Sequence, residues 1–180
     1  FYFASSSAIY GDHGDKALQE STGPLMPISN YGAMKLASEA FCFSSLESFL
    51  DKLRIFRFPN VVGIPATHGV IYDFIKKLIL NPKVLNVLGN GSQRKSYIHI
   101  DDLIDGMIFL ANKNIDKKEI PIFNLGNDSD FVTVKWIAEE TVRIFSPSAK
   151  IIYGNEDRGW LGDIPRFSYI TEKAKINDKR

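Results

Sequence analysis

The chain has 180 residues, of which 44% are hydrophobic and 24% are charged, and its formal net charge is +1. This length is enough for a domain with a sizeable core. The near-neutral charge gives no indication of a nucleic-acid partner or a membrane surface, and the apolar runs are too short to cross a bilayer. We therefore expect a cytoplasmic protein, and its one cysteine, Cys42, fits that reducing compartment.

Short apolar runs alternate with helical patterns along the chain. The runs "FYFASSS", "LRIFRFPNVVG", "VLNV", "SYIHI" and "PIFNLGN" predict buried strands. Apolar residues at helical spacing predict helices over about 30–50, 69–80, 101–113 and 133–145, and the tail from 150 onward is polar and mixed. This alternation predicts an α/β protein with a largely parallel sheet.

Three residues near the start of the chain could form a proton-transfer site. On a helix, the spacing of four between Tyr31 and Lys35 puts both side chains on one face. An ammonium beside a phenol favours the phenolate, which can take a proton from a sugar or alcohol hydroxyl. Ser6, at the end of the preceding predicted strand, could hydrogen-bond the same hydroxyl. The Tyr–Lys spacing alone is also typical of an ordinary helix surface.

The residues around this set resemble a known family. "SSSAIYG" followed by "PISNYGAMK" is similar to the extended short-chain dehydrogenase/reductase superfamily, in its nucleotide-sugar epimerase/dehydratase branch. The segments "FRFPNVVG", "LNVLGNG", "KSYIHIDDLIDGM", "FNLGN" and "DRGWLGD" follow in the order of that family. The resemblance implies the C-terminal part of a Rossmann-type parallel sheet plus a smaller α/β substrate-binding region.

The resemblance also implies a set of site residues with NAD as cofactor. The catalytic residues would be Ser6, Tyr31 and Lys35, and the residues that contact NAD would be Ala4, Ser5, Tyr31, Lys35 and Phe58. A nucleotide sugar, UDP-linked in most of the family, would contact Ser7, Asn60, His68, Val70, Val87, Arg94, Lys95 and Arg158. Lys95 stands where the family has arginine, so whether Lys95 or Arg94 binds the diphosphate stays open.

Two positions after Ser6 bear on the reaction. Family members that remove water from the sugar resemble "STDEVYG", whose Asp and Glu supply the acid and base. Ser7 and Ala8 occupy those positions here, and neither can act as a carboxylic acid. We therefore predict a 4-epimerase that works through a transient 4-keto sugar. The alternatives are a dehydratase, reductase or decarboxylase of the same family, or a non-catalytic binding relative.

The family's glycine-rich dinucleotide loop, G-x-x-G-x-x-G, is not found in this sequence. We therefore expect the chain to be a C-terminal portion that is inactive by itself. Residues 1–63 would form a partial Rossmann NAD-binding domain. Residues 64–180 would form mainly the substrate-binding region, with 120–146 returning to the Rossmann sheet. The full-length protein would be a homodimer, and the scattered His13, His68 and His99 predict no metal site.

Overall fold

The structure is a computed structural model that describes residues 1–114, 120–127 and 131–174. A turn of 3-10 helix over Ser7–Ile9 follows the first strand. The strands are β1 (Tyr2–Ser6), β2 (Ala17–Leu18), β3 (Arg54–Phe58), β4 (Asn60–Val62), β5 (Val84–Val87), β6 (Arg94–Lys95), β7 (Tyr97–His99), β8 (Ile122–Asn124), β9 (Val132–Thr133), β10 (Lys150–Tyr153) and β11 (Ser168–Tyr169). The helices are α1 (Asn30–Ser45), α2 (Val70–Leu80), α3 (Ile100–Asn112) and α4 (Val134–Phe145).

The central sheet contains β1, β3 and β8 in that order, and its strands run parallel. Arg57 on β3 lies opposite Ser5 of β1 on one side and opposite Asn124 of β8 on the other. The other described strands form the parallel pairs β4–β7, β5–β10 and β2–β11 and the antiparallel pair β6–β9. The predicted α/β class with a largely parallel sheet is confirmed.

Helices cover both faces of the central sheet. Alternate residues of a strand point to opposite faces, so Ile55 and Phe56 enter two different parts of the core. Ile55 packs with Cys42 of α1, and Phe56 packs with Leu103 of α3. A strand buried on both faces needs a continuous apolar run, which is the pattern that predicts β3 from the sequence.

A further part of the core lies between α2, α4 and β5. Phe74, Leu85, Val87 and Ile137 are buried there. Within the segment 120–146, β8 therefore belongs to the central sheet, whereas α4 packs in this second cluster. The division of the chain into a cofactor-binding and a substrate-binding domain stays a prediction.

The boundaries of three elements differ from those that the sequence predicts. Helix α1 ends at Ser45 and not near residue 50, because the Leu46 N–H turns back to the carbonyls of Phe43 and Ser44. The predicted strand over 53–63, with Pro59 and Gly63 expected to end it, is two strands on either side of Pro59, which has no N–H for a ladder, and β3 and β4 join different sheets. The tail from residue 150, for which the sequence predicts no element, contains β10, which pairs with β5.

A buried ion pair connects α1 to the central sheet. Arg57 donates from Nε and Nη2 to the two carboxylate oxygens of Glu39 at 3.0 and 2.6 Å, and both side chains are at most 4% exposed. Burial disfavours the charged guanidinium, but the hydrogen bond and charge of Glu39 outweigh it and raise the pKa of Arg57. Arg57 Nη1 also donates to the Tyr10 hydroxyl, which donates to Asn124 Oδ1 at 2.7 Å. The pair thus ties α1, β3 and β8 to the turn after β1.

We predict that Arg57→Met lowers the free energy of unfolding by about 3–5 kcal/mol, because it leaves the Glu39 carboxylate buried without its cation. Urea titration followed by far-UV circular dichroism measures the change. The matched control is Lys135→Met, which breaks an exposed i,i+4 pair with Glu139. That control should change stability by roughly 0.5 kcal/mol or less. Equal losses in the two variants would contradict a structural role for the buried pair.

Candidate active site

The end of β1 carries the predicted catalytic serine. Ser6 is the last residue of β1, and its Oγ accepts a hydrogen bond from the Ala8 N–H at 3.2 Å. That bond starts the 3-10 turn over Ser7–Ile9, which the Tyr10 N–H closes by donating to the Ser7 carbonyl. A hydroxyl that accepts through its oxygen still carries its own donor hydrogen, so Ser6 can hydrogen-bond a substrate.

The predicted catalytic tyrosine lies in the first turn of α1. Ser29 caps this helix, because its Oγ accepts from the Gly32 N–H at 3.1 Å. Tyr31 follows the cap by two residues and is 55% exposed, so its ring is accessible to a bound molecule.

Lys35 lies between Tyr31 and the end of β1. Its ammonium nitrogen donates to the Ala4 carbonyl at 2.8 Å and lies 5.2 Å from the centre of the Phe3 ring and 5.8 Å from the centre of the Tyr31 ring. Tyr31 and Lys35 therefore share one face of α1, as their spacing predicts. An ammonium has three donor hydrogens, of which the Ala4 carbonyl takes one, so this side chain fits a role in holding a ribose hydroxyl.

Gly32 brings the two halves of the candidate site together. A Cβ at this position would lie 2.5 Å from the Ala8 carbonyl oxygen and 3.0 Å from a Pro27 side-chain carbon. Only a residue without a side chain lets the start of α1 approach the turn after Ser6 so closely. The sequence motifs do not mark Gly32 as a site residue. Its position directly after Tyr31 is a signal that the start of α1 packs closely against another segment.

The predicted substrate residues of the middle of the chain have different surroundings. Phe58 is half-buried against the α3 side of the core, and the Asn60 amide donates to the Ser96 carbonyl at 3.5 Å.

His68 lies in an exposed segment, where its Nδ1 is 3.0 Å from the Thr67 hydroxyl. Val70 is the first residue of α2 and is partly buried. Val87 is only 4% exposed at the end of β5, so its side chain belongs to the core.

Two of the predicted diphosphate-binding cations, Arg158 and Arg94, form ion pairs with the aspartates Asp12 and Asp15. Arg158 Nη2 lies 2.8 Å from Asp12 Oδ2. Arg94 and Arg166 lie 2.9 and 3.2 Å from the two oxygens of Asp15. The arginines and their aspartates in these pairs are 27–61% exposed. Exposed pairs contribute little to stability, so an anionic ligand can compete for the arginines.

Lys95 has a more buried partner than the arginines. Its ammonium pairs with Asp163, whose side chain is 4% exposed and whose other oxygen accepts from the Gly159 N–H at 2.9 Å. Burial, and then the charge of Asp163, raise the pKa of Tyr97 to about 12. The ammonium of Lys95 is thus held by the buried carboxylate of Asp163. No sequence motif singles out Asp163 as this partner.

The histidines are separated in the structure as they are in the sequence. His13 Nε2 lies 3.1 Å from the Tyr10 carbonyl oxygen. His99 ends β7 and caps α3, because its Nδ1 accepts from the Asp101 N–H at 3.3 Å. Among residues 1–114, 120–127 and 131–174, no group of three or more His, Cys, Asp or Glu side chains is arranged to hold a metal ion. In the same residues, no helix is long and apolar enough to span a membrane.

Comparison with known proteins identifies relatives of the chain. Residues 1–126 match the NAD dependent epimerase/dehydratase family. One curated relative is an uncharacterized UDP-glucose epimerase, YtcB, of Bacillus subtilis (strain 168), which is 31% identical over 113 residues. That alignment covers 63% of this chain and 35% of the relative. The chain spans about a third of the length of the curated relatives it matches.

Solved structures share the fold over nearly the whole chain. A crystal structure of a UDP-galactose 4-epimerase is 35% identical and has a TM-score of 0.78. The match covers 96% of this chain and 54% of that one. The UDP-glucuronic acid 4-epimerase from Bacillus cereus, in complex with UDP-glucuronic acid and NAD, is 25% identical and has a TM-score of 0.79. That match covers 97% of this chain and 53% of the other, and the expectation of a Rossmann-type sheet is confirmed.

We predict that Gly32→Ala lowers the free energy of unfolding by about 1–3 kcal/mol, because the added methyl overlaps the Ala8 carbonyl and forces α1 away from the turn. Denaturant unfolding of the variant measures this loss.

The matched control is Gly106→Ala in the interior of α3, where a Cβ meets Leu125 at an ordinary 3.6 Å. A helix-interior glycine costs about 0.5–1 kcal/mol relative to alanine, so this control should be more stable than wild type. A stabilised Gly32→Ala protein would contradict the close approach.

Proposed function

Because the chain belongs to the NAD dependent epimerase/dehydratase family, we propose that the protein inverts C4 of a nucleotide-linked sugar through a transient 4-keto intermediate. The observation that carries this proposal is the docking of α1 onto the turn after β1, with Gly32 against Ala8. That contact puts Tyr31 and Lys35 at the same end of the sheet as Ser6. The two 4-epimerase structures that share the fold support the same reaction.

Each of the three side chains has a distinct part in the reaction. Tyr31 takes the proton of the sugar 4-hydroxyl and later returns a proton to the 4-keto oxygen. Ser6 donates a hydrogen bond to that oxygen and holds it against the tyrosine. Lys35 holds the nicotinamide ribose, and its ammonium nitrogen lies 5.8 Å from the centre of the Tyr31 ring. Ala4, Phe58, Tyr31 and Lys35 are the residues that would hold NAD, which would supply the hydride acceptor and donor for C4.

The turn after Ser6 favours epimerisation over loss of water. Elimination across C5 and C6 needs an acid and a base beside the sugar, and Ser7 and Ala8 offer neither. Family membership does not choose between these reactions, because the family includes both epimerases and dehydratases. The composition of the turn is therefore the argument for inversion at C4.

The substrate is proposed to be a UDP-sugar whose diphosphate binds Arg158, the exposed arginine that pairs with Asp12. Arg158 can exchange the carboxylate of Asp12 for a diphosphate oxygen and gain a bidentate contact. Arg94 and Lys95 would lie beside it, and Asn60, Ser7, His68 and Val70 remain predicted contacts. Val87 would contact the substrate through its backbone, because its side chain is buried. The likeness to an epimerase bound to UDP-glucuronic acid supports a UDP-sugar. A homodimer and a cytoplasmic location also remain predictions.

We predict that Tyr31→Phe in the full-length protein lowers kcat for 4-epimerisation by about 10²–10⁴-fold, since it removes the group that moves the proton. The rate is measured by NMR as the interconversion of UDP-glucose and UDP-galactose. Tyr31 is 55% exposed, so the variant should unfold at the same urea concentration as wild type.

Tyr72→Phe on α2 is the matched control, because this tyrosine is also exposed and lies on another helix. It should retain the wild-type rate. A Tyr31→Phe protein that turns over as fast as this control would exclude Tyr31 as the proton acceptor.

A further inference from the structure

Helix α1 makes three contacts, in order along the helix, with strand β1 and with the turn that follows it. Gly32 lies against Ala8, the Lys35 ammonium donates to the Ala4 carbonyl, and the Glu39 carboxylate accepts from Ser5. Glu39 is four residues beyond Lys35 and eight beyond Tyr31, so the three side chains lie along one side of the helix. The contact at Glu39 therefore acts on the same face that presents the proposed base.

The Ser5 hydroxyl is committed to this contact. Its Oγ donates to Glu39 Oε1 at 2.5 Å, and Ser5 and Glu39 are 0% and 3% exposed. The same Glu39 oxygen accepts from Arg57 Nε, and Arg57 is the residue paired with Ser5 across the strands. The Glu39 carboxylate therefore accepts hydrogen bonds from Ser5, near the C-terminal end of β1, and from Arg57 on the neighbouring strand β3.

We propose that Glu39 and Ser5 are positioning residues, which fix the peptide that carries Ser6 relative to the helix that carries Tyr31. This inference rests on the proposed function. It also reassigns Ser5, whose resemblance-based role was a contact with NAD: its hydroxyl faces a buried carboxylate. Neither residue touches the reacting atoms, and both act through the placement of Ser6 and Tyr31.

Ser5→Ala tests this inference while keeping the Glu39–Arg57 ion pair. In the full-length protein we expect kcat to fall by about 10- to 100-fold with KM and NAD affinity unchanged within about twofold, because a small misplacement of reacting groups slows chemistry and not binding. With UDP-glucose deuterated at C4, the isotope effect on kcat should rise as hydride transfer becomes rate-limiting. A variant that merely contained fewer folded molecules would show a lower kcat with an unchanged isotope effect.

A second readout does not depend on activity. The Ala8 N–H donates to Ser6 Oγ, so its hydrogen-exchange rate reports on the placement of that hydroxyl. Ser5→Ala should speed this exchange, and Ser5→Thr, which keeps the hydroxyl, should restore both the protection and most of kcat. Ser44→Ala removes an exposed hydroxyl that donates to the Phe41 carbonyl of its own helix, and it should change neither quantity.

The possible results separate the two proposals. Wild-type kcat and wild-type Ala8 exchange in Ser5→Ala would overturn the positioning role. A loss of NAD affinity with an unchanged isotope effect would also overturn it, in favour of a direct cofactor contact. A wild-type protein that inverts no sugar would overturn the proposed function and this inference with it.

Discussion

The arrangement of the candidate site depends on one buried ion pair, Glu39 with Arg57. Two charges removed from water are stable only when hydrogen bonds satisfy them, and here each carboxylate oxygen accepts from the guanidinium. The remaining bonds of the pair reach Ser5, Tyr10 and the Glu20 carbonyl. Because these partners come from β1 and the loop after it, the pair fixes where β1 ends relative to α1, and hence where a substrate would meet Ser6 and Tyr31.

Burial separates the charges that build the framework from those that can bind a ligand. The guanidinium of Arg57 has no access to solvent, so no ligand competes for it. Arg158 and Arg94 pair with aspartates at the surface, where water and salt weaken each contact. Asp12 and Asp15 follow the turn after Ser6 closely in the chain. In the proposed function, a diphosphate that binds Arg158 would replace Asp12 as the partner of that arginine.

The sequence predicts those features of the chain that depend on local patterns. Alternating apolar runs predict the α/β class, and the four-residue spacing predicts the shared face of Tyr31 and Lys35. The pairing of Glu39 with Arg57 joins positions 18 residues apart, and that of Arg158 with Asp12 joins positions 146 apart. No local pattern marks such partners, and none shows that the strands on the two sides of Pro59 enter different sheets.

The fate of the C4 hydrogen tests the proposed reaction most directly. The full-length protein would be incubated in heavy water with UDP-glucose, UDP-N-acetylglucosamine and their 4-epimers, and the products would be identified by NMR. A carboxylate-free turn beside Ser6 predicts inversion at C4 with no deuterium entering the sugar, because the hydride that leaves C4 is the one that returns. Deuterium at C5, or a 6-deoxy-4-keto product, would contradict this account, since both require the acid and base that Ser7 and Ala8 lack.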